Sequence, residues 1–465
     1  MLPTFARNTA SQSGQKTLGF LLRRRLRHAG LDPKKSWQAR NLGEKIGCIK
    51  FESLRPCADQ VTSASGFELL CSYSWRVDTK QPPKQPPKQP PRPLPQTNSK
   101  RRSLCPYIYV PGEAPLVAPL KLPLIVGKRS RVKHYRDANI ARMPSCPFEP
   151  MFQSMSVLNP DFRFDNVDLI VNRNSLRHLL RFTGGSVKQN FRLDLAMVHS
   201  TLVITPVWES VFEKASGKTN HGRDFEDLFV NRSLRDSGSY HRAIRYHLGP
   251  LNCAVLSELD AALEDSGEAL ASHDKRWKFH PNPASVGTSE LSGAYRPNDR
   301  AEEVLFGLRG LTVPKKPRFW HQPRSEVIIR GNGTLSKDAA ELYAGAGTGY
   351  KKMPQLWLGR IPYLVRGTYT GRSFTRVDVF RFATSFAAYE NEIQDRLQKL
   401  VSLLGTLRNF AMDAAGQRCI VICDKAVHPR ELGVFNHHNI PPLPLPADIR
   451  RHFWTNQETR KQDAV

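Results

Sequence analysis

The stretch from His241 to Asp260 constrains the fold of this chain more than any other part of its sequence. It reads HRAIRYHLGPLNCAVLSELD, which predicts a strand, a turn at Gly249-Pro250 and a second, apolar strand that ends in two carboxylates. Glu258 and Asp260 are two residues apart, so on a strand both side chains point to the same face. Two neighbouring acids repel each other unless a cation lies between them. The stretch therefore predicts a divalent-metal site, with two solvent-facing acids as the alternative.

The positive charge of the chain is unevenly distributed. The 465 residues carry a net charge of +27, but residues 1–150 alone hold 27 Lys and Arg against 9 Asp and Glu. Such basicity is typical of nucleic-acid binding, and its position favours a basic tail over a basic groove. We expect residues 1–150 to be mostly disordered. The Arg-rich, acid-free segment 1–30 is compatible with a mitochondrial targeting peptide or with a plain basic terminus.

Two further segments bear on partners and compartment. The repeat QPPKQPPKQPPRPLP at 81–95 predicts an extended polyproline II rod, which is either a spacer or a ligand for a protein partner. The basic run KRSRVK at 128–133 is either a nuclear localisation patch or a solvated tail. The eight cysteines have no C-x-x-C spacing, which argues against a zinc ribbon and for a reducing compartment. We expect a nuclear or cytoplasmic protein, with the mitochondrion as the alternative.

From about residue 160 the sequence changes to one that is typical of a folded domain. An Asn172 cap, a helix with one apolar face, several strands and a long amphipathic helix at 388–410 predict a domain over 160–440. We read 264–300 as a polar surface insertion, 331–349 as a Gly-rich surface loop and 441–465 as a partly ordered tail. The expected fold class is α+β, a mixed sheet flanked by helices around a nuclease-like core. No run of 18 apolar residues occurs, so no membrane partner is expected.

The order of four short motifs resembles that of a known enzyme family. The motifs are Arg173, Gly222-x-x-Phe225-Glu226, Glu258-x-Asp260 and Gln355, and they lie in this order between about 165 and 410. This order resembles the decapping exonucleases, the cap quality-control nucleases of the PD-(D/E)XK superfamily, and in particular a divergent fungal branch. The resemblance implies metal-dependent hydrolysis at RNA 5′ ends, with removal of aberrant caps or diphosphates and then of nucleotides.

The resemblance also implies a role for each matching residue. Glu226 and Asp260 would bind Mg²⁺ or Mn²⁺, and Glu258 would assist through water. Arg173 would grip a 5′ phosphate, and Gln355 would orient the substrate. These roles are chemically coherent because hard oxygen ligands suit both metals and the planar guanidinium can donate two parallel hydrogen bonds to phosphate.

The sequence departs from the family where the family has a strand with the motif Glu-x-Lys. We assign this strand to Glu326-Val-Ile-Ile-Arg330. In one register Glu326 is the third metal ligand and Ile328 replaces the lysine; in the other, Ile328 replaces the glutamate and Arg330 the lysine. Arginine is a poor substitute because it is bulkier and does not release its proton. Loss of one such group commonly costs on the order of 100- to 1,000-fold in rate.

Two functional hypotheses follow from the sequence. The first is a metal-dependent hydrolase of RNA 5′ ends that uses Glu226, Asp260 and Glu326 on the metal. The second is a catalytically inactive relative that serves as an RNA-end or protein-binding module. The damaged Glu-x-Lys motif leaves open whether the protein is an enzyme.

Overall fold

Two mixed β-sheets carry the fold in the computed structural model, which describes residues 37–77, 106–127, 135–212, 221–264, 270–272, 274–280 and 324–455. The larger sheet has eleven described strands: β1 (Leu42–Lys50), β2 (Glu68–Arg76), β3 (Tyr107–Pro111), β6 (Leu169–Asn172), β7 (Phe191–Val198), β8 (Thr201–Val207), β10 (Ser237–Leu248), β11 (Leu251–Leu259), β14 (Glu326–Arg330), β18 (Arg418–Cys423) and β19 (Glu431–His437). The smaller sheet has eight: β4 (Leu116–Val117), β5 (Leu124–Ile125), β9 (Val230–Asn231), β12 (Ala261–Ala262), β13 (Trp277–His280), β15 (Ala339–Ala344), β16 (Tyr363–Thr370) and β17 (Ser373–Arg381).

Helices flank these sheets along the described chain. They are α1 (Ala138–Arg142), α2 (Glu149–Leu158), α3 (Arg173–Thr183), α4 (Gly222–Leu228), α5 (Met353–Gly359), α6 (Phe386–Asp413) and α7 (Ala447–Phe453). The larger sheet has the order β1-β19-β18-β7-β8-β6-β11-β10-β2-β3-β14, with β6 parallel to both β11 and β8 and β14 parallel to β3. Mixed sheets with helices packed on them confirm the predicted α+β class.

The predicted hairpin at 241–260 joins the two sheets. β10 and β11 pair antiparallel from Tyr240–Leu259 to Leu248–Leu251, and Gly249 adopts a left-handed φ of 59° in the turn between them. The chain then passes from β11 in the larger sheet directly to β12 in the smaller sheet. Asp260 is the single residue between these strands, so the predicted acidic pair lies at the junction of the sheets.

Helix α3 begins beside β11 because of its cap and the strand before it. The Asn172 side chain accepts a hydrogen bond from the Ser175 amide at 2.8 Å, as expected for an N-cap residue. Asn172 also ends β6, where it lies opposite Leu256 of β11. The predicted apolar face of the helix is buried, including Leu176 and Leu179. The N-terminus of α3 is therefore held next to the acidic end of β11.

The predicted amphipathic helix at 388–410 is confirmed as the central part of α6. Its apolar stripe packs in the main core, where five residues are buried: Ile393, Leu397, Leu400, Leu404 and Leu407. The buried Glu390 on this helix accepts a hydrogen bond from the Trp357 indole at 2.6 Å. This bond ties α6 to α5, the helix that carries Gln355.

Residues 1–150 contribute more to the fold than the sequence predicted. β1, β2 and β3 belong to the larger sheet, and β2 pairs with β10 on one side and β3 on the other. Tyr73 and Trp75 of β2 are fully buried. The prediction of disorder was wrong for these strands because composition averaged over 150 residues conceals short apolar segments. The segments 1–30, 81–95 and 128–133 lie outside the described residues.

Three more local predictions need correction or refinement. The segment 264–300 contains β13, which pairs with β17, and the segment 331–349 contains β15, which pairs with β12 and β16. Five glycines in 331–349 made a loop the simpler interpretation of that segment. In the tail, Trp454 is buried and donates its indole N–H to Thr201 at 3.0 Å, so the chain up to this point is part of the core.

None of the helices in the described part of the chain is both long and apolar enough to cross a membrane.

Candidate metal and phosphate site

Four carboxylates lie near one another where the two sheets meet. Three come from strands: Glu258 is near the end of β11, Asp260 follows that strand, and Glu341 lies on β15. The antiparallel pairs Ala261–Ala340 and Ala262–Ala339 place Asp260 opposite Glu341. The Leu342 amide donates to Asp260 Oδ2 at 3.0 Å and fixes that side chain. The fourth carboxylate is Glu226 of α4.

Helix α4 packs closely on the smaller sheet through Phe225, and this contact fixes its position. Phe225 is fully buried, and its ring lies against Gly367 of β16. A Cβ atom at Gly367 would lie 2.4 Å from a ring carbon of Phe225, so the helix can lie this close only over a glycine. The next residue, Glu226, is thereby held at the carboxylate cluster, where it accepts a hydrogen bond from Arg223 Nη1 at 2.6 Å.

We expect Gly367→Ala to displace α4 and destabilise the protein by about 1–3 kcal/mol, the usual cost of forcing extra volume into a packed interior. Chemical denaturation measures this change, and Mn²⁺-induced stabilisation reports whether Glu226 has moved. Gly405→Ala is the matched control. A Cβ at this position on α6 meets no atom within 4 Å, so this variant is expected to be as stable as the wild type or more stable. Equal denaturation curves for Gly367→Ala and wild type would contradict the prediction.

Burial and mutual repulsion make these carboxylates hard to ionise. Burial, followed by the charge of Asp260, raises the pKa of Glu226 to about 7 and that of Glu258 to about 8. Burial also raises the pKa of Glu341 to about 7, although the Arg173 guanidinium opposes the shift and Asp260 adds to it. Burial is the largest cause of each shift, and the charge of Asp260 adds to all three.

Protein cations and donors occupy several of the carboxylate oxygens. Arg173 Nη1 lies 2.5 Å from one oxygen of the fully buried Glu341, and the Gln355 amide donates to the other. Arg177 donates to the Gln355 side-chain oxygen at 2.9 Å. The half-buried Lys352 adds a further positive charge, which acts on both Glu226 and Glu341.

The donor chemistry of the cluster fits a hard divalent cation, but the present arrangement is an ion-pair network. Carboxylate oxygens are the ligands that Mg²⁺ and Mn²⁺ prefer. Within the described ranges, no three His, Cys, Asp or Glu side chains come together as a group that could hold a metal ion. Arg173 donates to one oxygen of Glu341 and Arg223 to one oxygen of Glu226, so both arginines compete with a metal for these carboxylates.

The structure corrects the assignment of the third strand. Glu326 is exposed on β14 at the edge of the larger sheet, and Arg330 on the same strand pairs with Asp236 at 3.0 Å and stacks on Tyr109. Three strands separate β14 from β11, which is roughly 19 Å at the usual strand spacing. Neither Glu326 nor Arg330 therefore reaches the cluster that contains Glu226 and Asp260.

The carboxylate that lies opposite Asp260 is Glu341, which was not among the residues predicted from the sequence. It lies in Glu341-Leu342-Tyr343 on β15, so Tyr343 follows it by two residues on the same face of the strand. Two lysines that follow along the chain approach this ring. Lys351 Nζ lies 4.6 Å and Lys352 Nζ 5.8 Å from the Tyr343 ring centroid. The local signal was a Glu-x-aromatic pair in a short apolar run shortly before Gln355.

A cleft of about 370 Å³ opens beside the carboxylates. Glu258 and Ser257 line it, and most of its other lining residues are basic or carry amides: Arg136, Asn139, Asn172, Arg173, Asn174, Arg177, Gln189 and Gln355. His241, opposite Glu258 in the β10–β11 pair, also lines the cleft, and burial lowers its pKa to about 3, so it is neutral at pH 7. The buried Ser257 hydroxyl has no hydrogen-bond partner among the described residues.

The cleft therefore combines phosphate-binding chemistry with a carboxylate cluster. Arginine side chains and the N-terminus of α3 favour an anion. Glu258, a member of the carboxylate cluster, also lines this cleft. Of the site residues predicted from the sequence, the structure brings five together: Arg173, Glu226, Glu258, Asp260 and Gln355. Arg173 and Gln355 bond Glu341, so they bridge the cleft and the cluster.

We expect Glu258→Gln to stabilise the metal-free protein at pH 8 by on the order of 1–3 kcal/mol relative to wild type, and much less at pH 5. Because the folded pKa is raised, the folded state binds this proton more tightly than the unfolded state. The stability linked to Glu258 is full below pH 4.5 and is lost as the pH rises to about 8. Denaturation at both pH values measures the difference. Glu264→Gln, at an exposed acid nearby, is the control; identical shifts for both variants would contradict the prediction.

Comparisons with known proteins give a family and several similar folds. No curated protein sequence is significantly similar to the chain. Among solved structures, a mutant S. pombe Rai1 in complex with 3′-FADP has a TM-score of 0.47 at 9% identity, covering 84% of this chain and 98% of that one. Scheffersomyces stipitis Rai1 in complex with (3′-NADP)+ and a calcium ion has a TM-score of 0.47 at 11% identity, covering 90% and 100%.

K. lactis Dxo1 in complex with manganese has a TM-score of 0.43 at 8% identity, covering 86% of this chain and 99% of that one. The family model described as Domain of unknown function (DUF8563) matches residues 97–279 and 337–454. Because the matched residues make up more than half of the sequence, the chain belongs to the family of proteins with this domain.

Proposed function

We propose that this protein is a divalent-metal-dependent hydrolase that acts on RNA 5′ ends. It would remove aberrant caps or diphosphates and then nucleotides, as the motif order implies. The observation that carries the proposal is the contact between the arginine-rich cleft and the carboxylate cluster. Arg173 lines the arginine-rich cleft and at the same time bonds Glu341 of the carboxylate cluster.

The cleft supports phosphate as the group that is recognised. Arg136, Arg173 and Arg177 converge on one cleft, and each guanidinium offers donors in a planar fork that matches phosphate oxygens. Asn172 and Asn174 add side chains at the first turn of α3, where the helix dipole favours negative charge. A 5′-terminal phosphate is negatively charged and accepts several hydrogen bonds, so the arginine and asparagine side chains of this cleft can bind it.

The carboxylate cluster supports hydrolysis. Glu226, Asp260 and Glu341 would hold the metal, with Glu341 in the role first assigned to Glu326. A bound Mg²⁺ or Mn²⁺ supplies Lewis acidity to the phosphate and lowers the pKa of water at the site. The Leu342 amide keeps Asp260 oriented. Glu258, which lines the cleft beside this cluster, can exchange a proton with water or with the leaving oxygen.

One observation favours the second candidate function, a catalytically inactive relative that binds RNA ends or a protein. Tyr343 stands where the family pattern has the lysine that positions the attacking water, and tyrosine carries no positive charge at neutral pH. In this case the arginine-rich cleft would retain RNA without turning it over.

A product-release assay separates the two functions. We expect the purified chain with Mn²⁺ to release cap, diphosphate or nucleotide from RNA that carries a capped, triphosphorylated or monophosphorylated 5′ end, and to release nothing with a chelator. Absence of product from all three RNAs, together with measurable binding of the same RNAs, would overturn the hydrolase and support the inactive relative.

A further inference from the structure

Arg173 contacts both the cleft and the carboxylate cluster. It lines the cleft, and its Nη1 atom donates to one oxygen of Glu341 at 2.5 Å. The Glu341 side chain is fully buried, and that of Arg173 is 11% exposed. Within the described part of the chain this is the one hydrogen bond that the Arg173 side chain makes. The other N–H groups of the guanidinium are therefore available to a ligand in the cleft.

A second arginine of the cleft reaches Glu341 through Gln355. The Gln355 amide donates to the other oxygen of Glu341, and the Gln355 side-chain oxygen accepts from Arg177 Nη1 at 2.9 Å. Arg177 and Gln355 both line the cleft. Both oxygens of this buried carboxylate are thus bonded by side chains of the cleft. A metal that uses Glu341 competes with donors that an anion in the cleft attracts.

The cluster contains another arginine–carboxylate pair without this double contact. Arg223 Nη1 donates to Glu226 at 2.6 Å, and the two side chains are 30% and 28% exposed. The residues that line the cleft include Arg173 but not Arg223. The two arginines therefore bond the cluster in the same way and differ in their access to an anion in the cleft.

Two competitions share the bond between Arg173 and Glu341. An oxyanion in the cleft competes with Glu341 for the guanidinium, because both offer oxygens that match its planar fork. A divalent cation competes with the guanidinium for Glu341, because carboxylate oxygens are its preferred ligands. Each ligand favours the state in which this bond is broken. Two ligands that favour the same state raise each other's affinity by the same factor.

We propose that Arg173 is a positioning residue that couples oxyanion binding in the cleft to divalent-metal binding in the cluster. The guanidinium moves from Glu341 to an oxyanion such as a 5′-terminal phosphate, and the metal takes the released carboxylate oxygen. This inference rests on the proposed function and adds its regulation: the metal is held weakly until a substrate phosphate is bound. An RNA end without a phosphate leaves the Arg173–Glu341 bond in place.

Mn²⁺ binding to the purified chain, without RNA, tests the coupling. Electron paramagnetic resonance measures free Mn²⁺. Sulfate is the probe anion because it is a tetrahedral dianion that binds Mn²⁺ weakly, and chloride at the same ionic strength is the reference. We expect sulfate to tighten Mn²⁺ binding to the wild type by about 5- to 150-fold, the usual range for coupling between two sites. Calorimetric titration with sulfate is expected to show the same factor when Mn²⁺ is present.

Arg173→Gln and Arg223→Gln are the matched variants. Each removes an arginine that bonds a carboxylate of the cluster, so both are expected to bind Mn²⁺ more tightly than the wild type in chloride. We expect Arg173→Gln to lose the sulfate effect and Arg223→Gln to keep it, because only Arg173 lines the cleft. Equal sulfate effects in the two variants would show that the anion acts without Arg173 and would overturn the proposal.

A folding check keeps the result interpretable. Thermal melting shows whether each variant is folded. If Arg173→Gln is not, Arg173→Lys retains a positive charge beside Glu341 and is expected to show a smaller sulfate effect than the wild type, because an ammonium group lacks the planar fork. An equal sulfate effect in Arg173→Lys and the wild type would overturn the proposal.

The outcomes for the coupling and for the hydrolase are separate. Equal Mn²⁺ affinity of the wild type in sulfate and chloride would overturn the coupling and leave the hydrolase standing. An Arg173-dependent sulfate effect without product release from 5′-modified RNA in Mn²⁺ would support the coupling and overturn the hydrolase. Absence of Mn²⁺ binding in both salts would overturn both.

Discussion

Asp260→Asn is expected to lower the rate of product release from 5′-modified RNA in Mn²⁺ by at least about 100-fold, the usual cost of losing one essential electrostatic group. Asp260 lies between Glu226, Glu258 and Glu341, and its charge raises the pKa of all three. The substitution keeps the side-chain oxygen that accepts from the Leu342 amide and removes only the charge. We expect Mn²⁺ to raise the melting temperature of the wild type and not that of Asp260→Asn, because a ligand stabilises only the state that binds it.

Glu341, proposed as the third metal ligand, and Glu326 form the matched pair of variants for this experiment. Glu341→Gln is expected to behave like Asp260→Asn, and Glu326→Gln like the wild type, because Glu326 is exposed on the edge strand β14. Rates and melting curves are measured together, so that a folding defect in Glu341→Gln is recognised. An inactive Glu326→Gln alongside an active Glu341→Gln would reverse the assignment of the site to β15.

Asp378→Asn is expected to lower the free energy of unfolding by about 3–5 kcal/mol, the usual cost of leaving a buried charge without its partner. Asp378 on β17 is fully buried and pairs with the nearly buried Arg366, with Arg376 at 3.0 Å and with His280 at 3.1 Å. Although burial alone would raise the pKa of Asp378, Arg366 and His280 hold it below the usual value. The stabilisation is therefore present at neutral pH and is lost as the pH falls below about 4.

Chemical denaturation at pH 7 measures this effect, and Arg376→Gln is the control. The Arg376 side chain is 43% exposed, so its pair with Asp378 is screened by water and its removal is expected to cost less than about 1 kcal/mol. The Asp378–Arg366 pair remains in this control. An equal loss of unfolding free energy in Asp378→Asn and Arg376→Gln would contradict the prediction, because it would show that the buried Asp378–Arg366 pair costs no more to break than the exposed Asp378–Arg376 pair.

The features that could be predicted from the sequence are those that depend on neighbours along the chain. The β10–β11 hairpin follows from period-2 alternation on both sides of Gly249-Pro250, and the same alternation places Glu258 and Asp260 together. The start of α3 follows from the Asn172 cap, and the apolar stripe of α6 from helical periodicity.

The third strand could not be predicted because strand pairing joins distant parts of the chain. Glu326 in SEVIIR and Glu341 in AAELYA are both local candidates, and the β-branched residues of the first make it the better strand by propensity. Only pairing decides between them. β15 pairs with β12 and so lies opposite Asp260, whereas β14 pairs with β3 at the far edge of the larger sheet. Intrinsic propensity carries no information about which edge a strand joins.

The sequence by itself determined the acidic hairpin, the N-cap of α3, the apolar stripe of α6 and the residue types from which a metal and phosphate site is proposed. The tertiary structure alone decided that Glu341 completes the carboxylate cluster, that Arg173 and Gln355 hold it, and that Glu326 and Arg330 lie elsewhere. The physical reason is that periodicity and capping act within a few residues. Burial, charge repulsion and ion pairing act between residues that the fold brings together from about 170 positions apart.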